Sequence, residues 1–143
     1  MNFRTSLLIF LAAITMSCST SKSEFIPEKI KKDTISFGSG GGFTGQVTKY
    51  YMTKDGKIYV QNADHIVKVG TISTSVSAQL FANYTNLNLD KLSLNEPGNK
   101  YYFIEMSSKN GKNVIKWGKS PLQNSNLETY YKILMNTVKD LNI

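Results

Sequence analysis

Cysteine, histidine and tryptophan each occur once and proline three times in 143 residues. A single cysteine excludes a disulfide within the chain, so the fold has to be held by its apolar core. A single histidine, His65, means that a Ser-His-Asp triad or a zinc site would have to be built around one ring, with carboxylates supplying nearly every other ligand. Asp64, next to it, points to the other face of a strand and cannot assist. Arginine is absent beyond Arg4, so the rest of the 17 basic residues are lysines, set against 10 acidic ones. Without the bidentate guanidinium fork, base and phosphate readout is poorly served, and nucleic-acid binding is not expected. The positive balance is read as solubility and attraction to anionic surfaces. Among the scattered acids a pair such as Asp90 with Glu105 is no more than coincidence would supply. No catalytic group, metal or cofactor is expected.

Long hydrophobic runs are also missing. The longest, Leu7 to Ile14, is too short to span a bilayer as a helix, which takes about 20 apolar residues. Preceded by a short n-region with the positive charge of Arg4, it has the length of a signal-peptide h-region. Thr15-Met16-Ser17 then leads to Cys18, which resembles the lipobox of bacterial lipoproteins, with Thr15 where leucine is usual. The resemblance implies cleavage after residue 17 and acylation of Cys18. Each buried methylene is worth about 0.8 kcal/mol, so two or three long acyl chains hold a protein on a membrane without help from its folded part. Ser19 replaces the Asp that retains some lipoproteins at the inner membrane, which points to the outer membrane of a cell envelope.

Residues 18–32 are polar, with Lys22, Lys29, Lys31 and Lys32 against Glu24 and Glu28, and read as a tether. From residue 33 to 143 the pattern is that of one domain, monomeric, of the α+β class. Ile35 and Phe37 share one face of a first strand that ends at the glycine run starting at Gly38. Phe43 to Thr53 reads as the next strand. Asp55-Gly56 is the signal for a tight hairpin into Ile58-Tyr59-Val60, and a further short strand is expected around Ile66 to Ile72. Ser73 to Ser75 offer caps for a helix carrying Val76, Leu80, Phe81, Tyr84 and Leu87. Asn95 to Asn99 is a turn cluster, after which Tyr101 to Ser107 and Val114 to Trp117 alternate across a type I′ turn at Asn110-Gly111. Gly118 and Pro121 end that strand. Leu127, Tyr130, Tyr131, Leu134, Met135, Val138 and Leu141 form one helical stripe, opened by a Ser125/Glu128 capping box. The expected architecture is an antiparallel sheet of five to six strands with both helices on one face.

The most unusual stretch is Gly38-Ser39-Gly40-Gly41-Gly42-Phe43-Thr44-Gly45. A phosphate-cradling glycine loop needs a helix N-terminus behind it, but a strand follows here and no Lys-Ser or Lys-Thr pair closes a P-loop. It reads instead as a turn or bulge that needs positive φ, or as a partner-binding edge with Phe43 at its tip. Trp117, sharing a face with Ile115, reads as a core residue. Tyr50, Tyr51, Tyr59, Tyr101 and Tyr102 cannot all be buried under strict alternation, so some meet solvent or a partner, and Tyr51 is taken with Gly41, Gly42, Phe43, Thr44 and Gly45 as the candidate contact set. Asn83-Tyr84-Thr85 matches a glycosylation sequon of little relevance in a bacterial envelope. Asp33-Thr34-Ile35 is similar to a bacterial O-glycosylation acceptor at Thr34.

Phe37-Gly38, Gly40-Gly41-Gly42-Phe43-Thr44-Gly45, Asp55-Gly56, Glu96-Pro97-Gly98-Asn99, Trp117-Gly118 and the terminal helix together look like a group of small Bacteroidetes-type lipoproteins. That resemblance covers most of the chain after the signal peptide and implies no particular activity. Gly41 to Gly45 opening a small domain that closes on an amphipathic helix is more distantly similar to emfourin-type inhibitors of thermolysin-like metalloproteases, with Thr44 where their motif has alanine. The expectation is a non-enzymatic, membrane-anchored envelope lipoprotein that binds another envelope protein or a glycan through its sheet edge and glycine-rich loop. The alternative implied by the second resemblance is inhibition of a secreted metalloprotease.

Overall fold

The computed structural model describes residues 33–62, 65–118 and 124–141. The expected signal peptide and tether, with Cys18, and also Asp64 and Pro121, lie outside the described residues. Within them the chain is α+β: seven strands in one sheet and two helices. The strands are β1 (Thr34–Gly41), β2 (Val47–Thr53), β3 (Lys57–Asn62), β4 (His65–Thr71), β5 (Asn95–Glu96), β6 (Lys100–Ser108) and β7 (Gly111–Trp117). The helices are α1 (Thr74–Asn86) and α2 (Ser125–Lys139). Spatial order is β4-β3-β2-β1-β6-β7-β5, with β1 in the centre and every neighbouring pair antiparallel except β5 with β7. The seventh strand is a correction to the expected five or six. Asn95–Glu96 is a two-residue parallel strand, too short for any alternation to announce it, fastened where Lys116 N–H donates to Leu94 O at 2.8 Å.

The two faces of the sheet are set by alternation along β1. Ile35 and Phe37 point to the helices, beside Met52 and Tyr50 on β2 and Met106 and Ile104 on β6. Ser36, Gly38 and Gly40 point to the other face. Contrary to expectation, β1 does not stop at Gly38 but runs on to Gly41, while β2 starts at Val47 rather than Phe43. Glycine costs a strand its side-chain packing, and here a neighbour supplies it: the Tyr101 ring lies so close over Gly40 that a Cβ there would be 2.6 Å from its hydroxyl.

Both helices pack on the Ile35/Phe37 face and share its core. α1 is capped by Ser73, whose Oγ accepts from Val76 N at 3.3 Å. Its inner stripe is Ser77, Leu80, Phe81 and Tyr84, while Val76, expected on that stripe, is exposed in the first turn. Ser77 Oγ donates to Thr53 O at 3.0 Å and ties the helix to the end of β2. α2 buries Leu127, Tyr130, Leu134 and Val138. Its N-cap is Asn124, accepting from Leu127 N at 3.1 Å, so the expected Ser125/Glu128 capping box is a correction: Ser125 is the first residue of the helix and not its cap. Tyr130 Oη donates to Leu80 O at 2.8 Å and Tyr131 Oη to Gly38 O at 3.1 Å, which binds α2 to α1 and to β1. Trp117 is buried and stands edge-on to Tyr131 at 5.3 Å.

Neither Asp-Gly nor Asn-Gly makes a type I′ turn. That turn needs positive φ at both central residues, whereas Gly56 and Gly111 have positive φ and Asp55 and Asn110 do not. Gly56 N–H closes on Thr53 O at 2.9 Å, and Ser108 pairs with Gly111 across Lys109-Asn110. In both, the glycine comes after the two central residues of the turn instead of being one of them.

Candidate functional site

Among the described residues, the hairpin between β1 and β2 is the one place where the fold exposes an aromatic side chain completely. Gly41 and Gly42 have φ of +83° and +75°, and Gly42 N–H donates to Asn99 O at 2.7 Å, so the loop is fastened to the turn before β6. A Cβ on Gly41 would collide with that same Asn99 carbonyl, and positive φ alone strains any L side chain. Gly45, at φ +64°, folds back to donate to Gly42 O at 3.3 Å, and Gln46 N–H donates to Thr44 Oγ1 at 3.4 Å. Between these fixed points Phe43 projects with a relative exposure of 107%. Burying a phenylalanine stabilises a protein by about 1.5–3 kcal/mol, so this ring contributes nothing to the fold where it stands.

The loop carries no charge. Its apolar surface continues onto Val47, half exposed at the start of β2, and onto Tyr101, which registers with Gly40. Lys116 Nζ stands 5.7 Å from the Tyr101 ring centre, a cation over the aromatic face. Tyr51 does not join this surface. It registers with Ser36, four residues along β2 from Val47 or roughly 13 Å, is only 5% exposed, and donates its hydroxyl to Gln61 Oε1 at 2.7 Å. It packs with Tyr59 and Ile66 on the sheet face opposite the helices. Sequence reasoning thus placed Gly41 to Gly45 together and missed Val47, which follows them along the chain, and Tyr101, which strand pairing brings beside Gly40.

The remaining candidates disperse. His65 is exposed at the start of β4, opposite Asn62. Asp90 follows α1, whereas Glu105 lies on the opposite sheet face between Lys49 at 3.5 Å and Lys112 at 3.0 Å, so these two carboxylates form no pair. Thr34, the acceptor of the O-glycosylation pattern, is 6% exposed inside β1, where an attached sugar would collide with the neighbouring strands. Three tyrosines are held neutral. Burial raises the Tyr84 and Tyr130 hydroxyls well above the ordinary value and pushes Tyr131 up to about 12. All three donate hydrogen bonds, to Asn113 Oδ1, Leu80 O and Gly38 O, so each is a structural tie.

β4 lies at one end of the strand order, with no strand on its outer side among the described residues. At the other end the two-residue β5 covers only part of β7. The end of β3 at Asn62 and the start of β4 at His65 are at the same end of the sheet as the glycine loop, opposite the end where β1 begins at Thr34. With eight residues in β1, the loop stands about 26 Å from the start of that strand at Thr34. A scan of protein-family models gives no match to this chain, and a search of curated proteins gives none either.

Proposed function

We propose that this chain is a non-enzymatic lipoprotein of the cell envelope, anchored through acylated Cys18, that holds another envelope protein or a glycan by the glycine-rich loop and the adjoining sheet edge. The observation that carries this reading is Phe43, fully exposed at the tip of a loop whose glycines are tied to Asn99 and to each other. A ring presented on a pre-organised backbone loses little entropy on binding, and a central aromatic anchor is the commonest source of interface energy. The entry point of the chain at the far end of β1 suits this role, because it turns the loop away from the anchored end.

The test is affinity capture from detergent-solubilised envelopes with acylated wild-type protein and with the double variant Phe43→Ala, Val47→Thr. The expected result is one or more partners retained by wild type and lost by the variant at unchanged fold. Identical capture by both would refute the site, and an unmodified Cys18 in intact-mass spectrometry would refute the anchor.

The same pre-organised loop favours one other reading, a plug for the cleft of a secreted metalloprotease. That reading requires stoichiometric inhibition abolished by Phe43→Ala; undiminished proteolysis across a panel of such enzymes removes it.

A further inference from the structure

Both helices lie on one face of the sheet, and among the described residues the other face is left to the strands alone. Register carries this second face from Ser36 and Gly38 on β1 to Lys49 on β2, Lys57 on β3, Lys68 on β4, Glu105 on β6 and Lys112 and Lys116 on β7. Its strands thus present five lysines and one acid. The other six lysines and six acidic residues of the described chain cancel, so the net charge of +4 of the described residues is that of this face. Asp55, in the turn before β3, is the one acid from elsewhere that pairs with a lysine of the face, at 2.9 Å from Lys57, and counting it leaves +3.

Glu105 is shared by Lys49 at 3.5 Å and Lys112 at 3.0 Å, while Lys68 and Lys116 enter no ion pair among the described residues. Aromatic rings of the same face steady two of the cations: Lys49 Nζ stands 4.9 Å from the Tyr51 ring centre and Lys116 Nζ 5.7 Å from that of Tyr101. Across the strands the lysines fall in three rows, Lys57 with Lys112, Lys68 by itself, and Lys49 with Lys116. The rows extend over six strands, about 24 Å, and over about 13 Å along them. No row holds more than two lysines, so a linear polyanion lying along one would leave most of the charge unmet. The phosphates of a bilayer form an array in two dimensions and can meet all five. Val114, exposed between Lys112 and Lys116 on β7, adds an apolar contact of the kind a headgroup layer accepts.

We infer that this face docks on the anionic lipid headgroups of a membrane, with the strands parallel to the bilayer and the glycine loop left free at their end. Lysine suits that contact, because as a compact point charge it needs no fixed geometry from the phosphate it meets. Each lysine held near an anionic bilayer strengthens attachment about fivefold. The assignment uses neither the glycine loop nor a lipid on Cys18, which would hold the chain on any bilayer whichever way the domain turned.

The test is acetylation of lysines by an amine-reactive ester, read residue by residue by mass spectrometry, on the full acylated chain in vesicles of phosphatidylcholine with and without added phosphatidylglycerol. On the anionic vesicles Lys68 and Lys116 should react about fivefold more slowly than on the neutral ones, while Lys132 and Lys139, exposed on α2, keep their rates. Lys68→Glu with Lys116→Glu brings the face from +4 to neutral, and the protection of Lys112 should then be lost with the circular dichroism spectrum retained. A chain without the acyl group is read in the same way, mixed with the same vesicles, so a missing anchor and a wrong face give different results. Equal rates on both kinds of vesicle, protection of Lys132 and Lys139 instead, or undiminished protection of Lys112 in the variant would each overturn the assignment. So would a soluble acidic polysaccharide such as alginate that protects the five lysines better than the anionic vesicles do.

Discussion

Replacing Gly41 by alanine should cost the domain about 3 kcal/mol, against about 1 kcal/mol for the same change at Gly42 or Gly45. All three residues have positive φ, so all three variants carry the penalty of a left-handed L residue, partly offset by a stiffer unfolded chain. At Gly42 and Gly45 the added methyl meets nothing within 4 Å. At Gly41 it meets the Asn99 carbonyl, a backbone atom that cannot swing aside, so β1 and the turn before β6 have to separate. Separation also breaks the 2.7 Å bond from Gly42 N–H to Asn99 O, worth about 1 kcal/mol. The assay is urea unfolding followed by Trp117 fluorescence and by far-ultraviolet circular dichroism. Trp117 is the only tryptophan and is buried, so its emission reports the core. In thermal melts the difference corresponds to a fall of about 15 °C for Gly41→Ala and about 5 °C for the other two. Asn99→Ala keeps the carbonyl and should be close to neutral. If Gly41→Ala were no worse than Gly42→Ala, the loop would not be clamped to Asn99, and the pre-organisation on which the proposed binding role depends would be gone.

Phe43→Ala should leave the unfolding midpoint within about 0.5 kcal/mol of wild type, because the ring makes no contact that folding depends on; a larger loss in urea titration would mean that it packs somewhere. Asn113→Ala should cost about 2–3 kcal/mol, since it orphans the Tyr84 hydroxyl and two carbonyls, and Tyr84→Phe in the same chain should recover part of that loss; strict additivity in the double-mutant cycle would refute the tie. Alkaline stability should follow the buried tyrosines. Tyr131 ionises near 10 when unfolded and only at about 12 when folded, so its contribution is complete below pH 10 and is lost as pH rises from about 10 to 12. Denaturation midpoints taken up this range should fall for wild type and fall less for Tyr131→Phe, whereas equal slopes would place the hydroxyl in solvent.

Much of the fold was legible because its cues are local. The α2 stripe repeats every three to four residues, and the observed helix buries Leu127, Tyr130, Leu134 and Val138 from it. Strand alternation assigned Ile35, Phe37, Ile104, Ile115 and Trp117 to one face, and the core contains all five. The failures lie where a neighbour in space outweighs the local signal. Gly38 to Gly41 look like the end of a strand, yet β2 and β6 on either side supply the pairing and Tyr101 the packing that keep them in β1. Asn95–Glu96 becomes a strand only because β7 leaves an edge beside it. Tyr51 looked like a contact residue because no periodicity reveals that Gln61 and Tyr59 flank it.

From its order of residues alone the chain determined an α+β domain of hairpins and two amphipathic helices, and a glycine run with Phe43 in its midst. These are consequences of side-chain period and of the dihedral freedom of single residues. Tertiary structure decided which atoms lie beside one another. It clamped Gly42 to Asn99, set Val47 and Tyr101 beside Gly40 at the foot of the loop, and withdrew Tyr51 from them. The physical reason is that such neighbours, Asn99 and Tyr101 more than fifty residues from the loop among them, are selected by strand register and helix docking, which depend on the packing of the whole core.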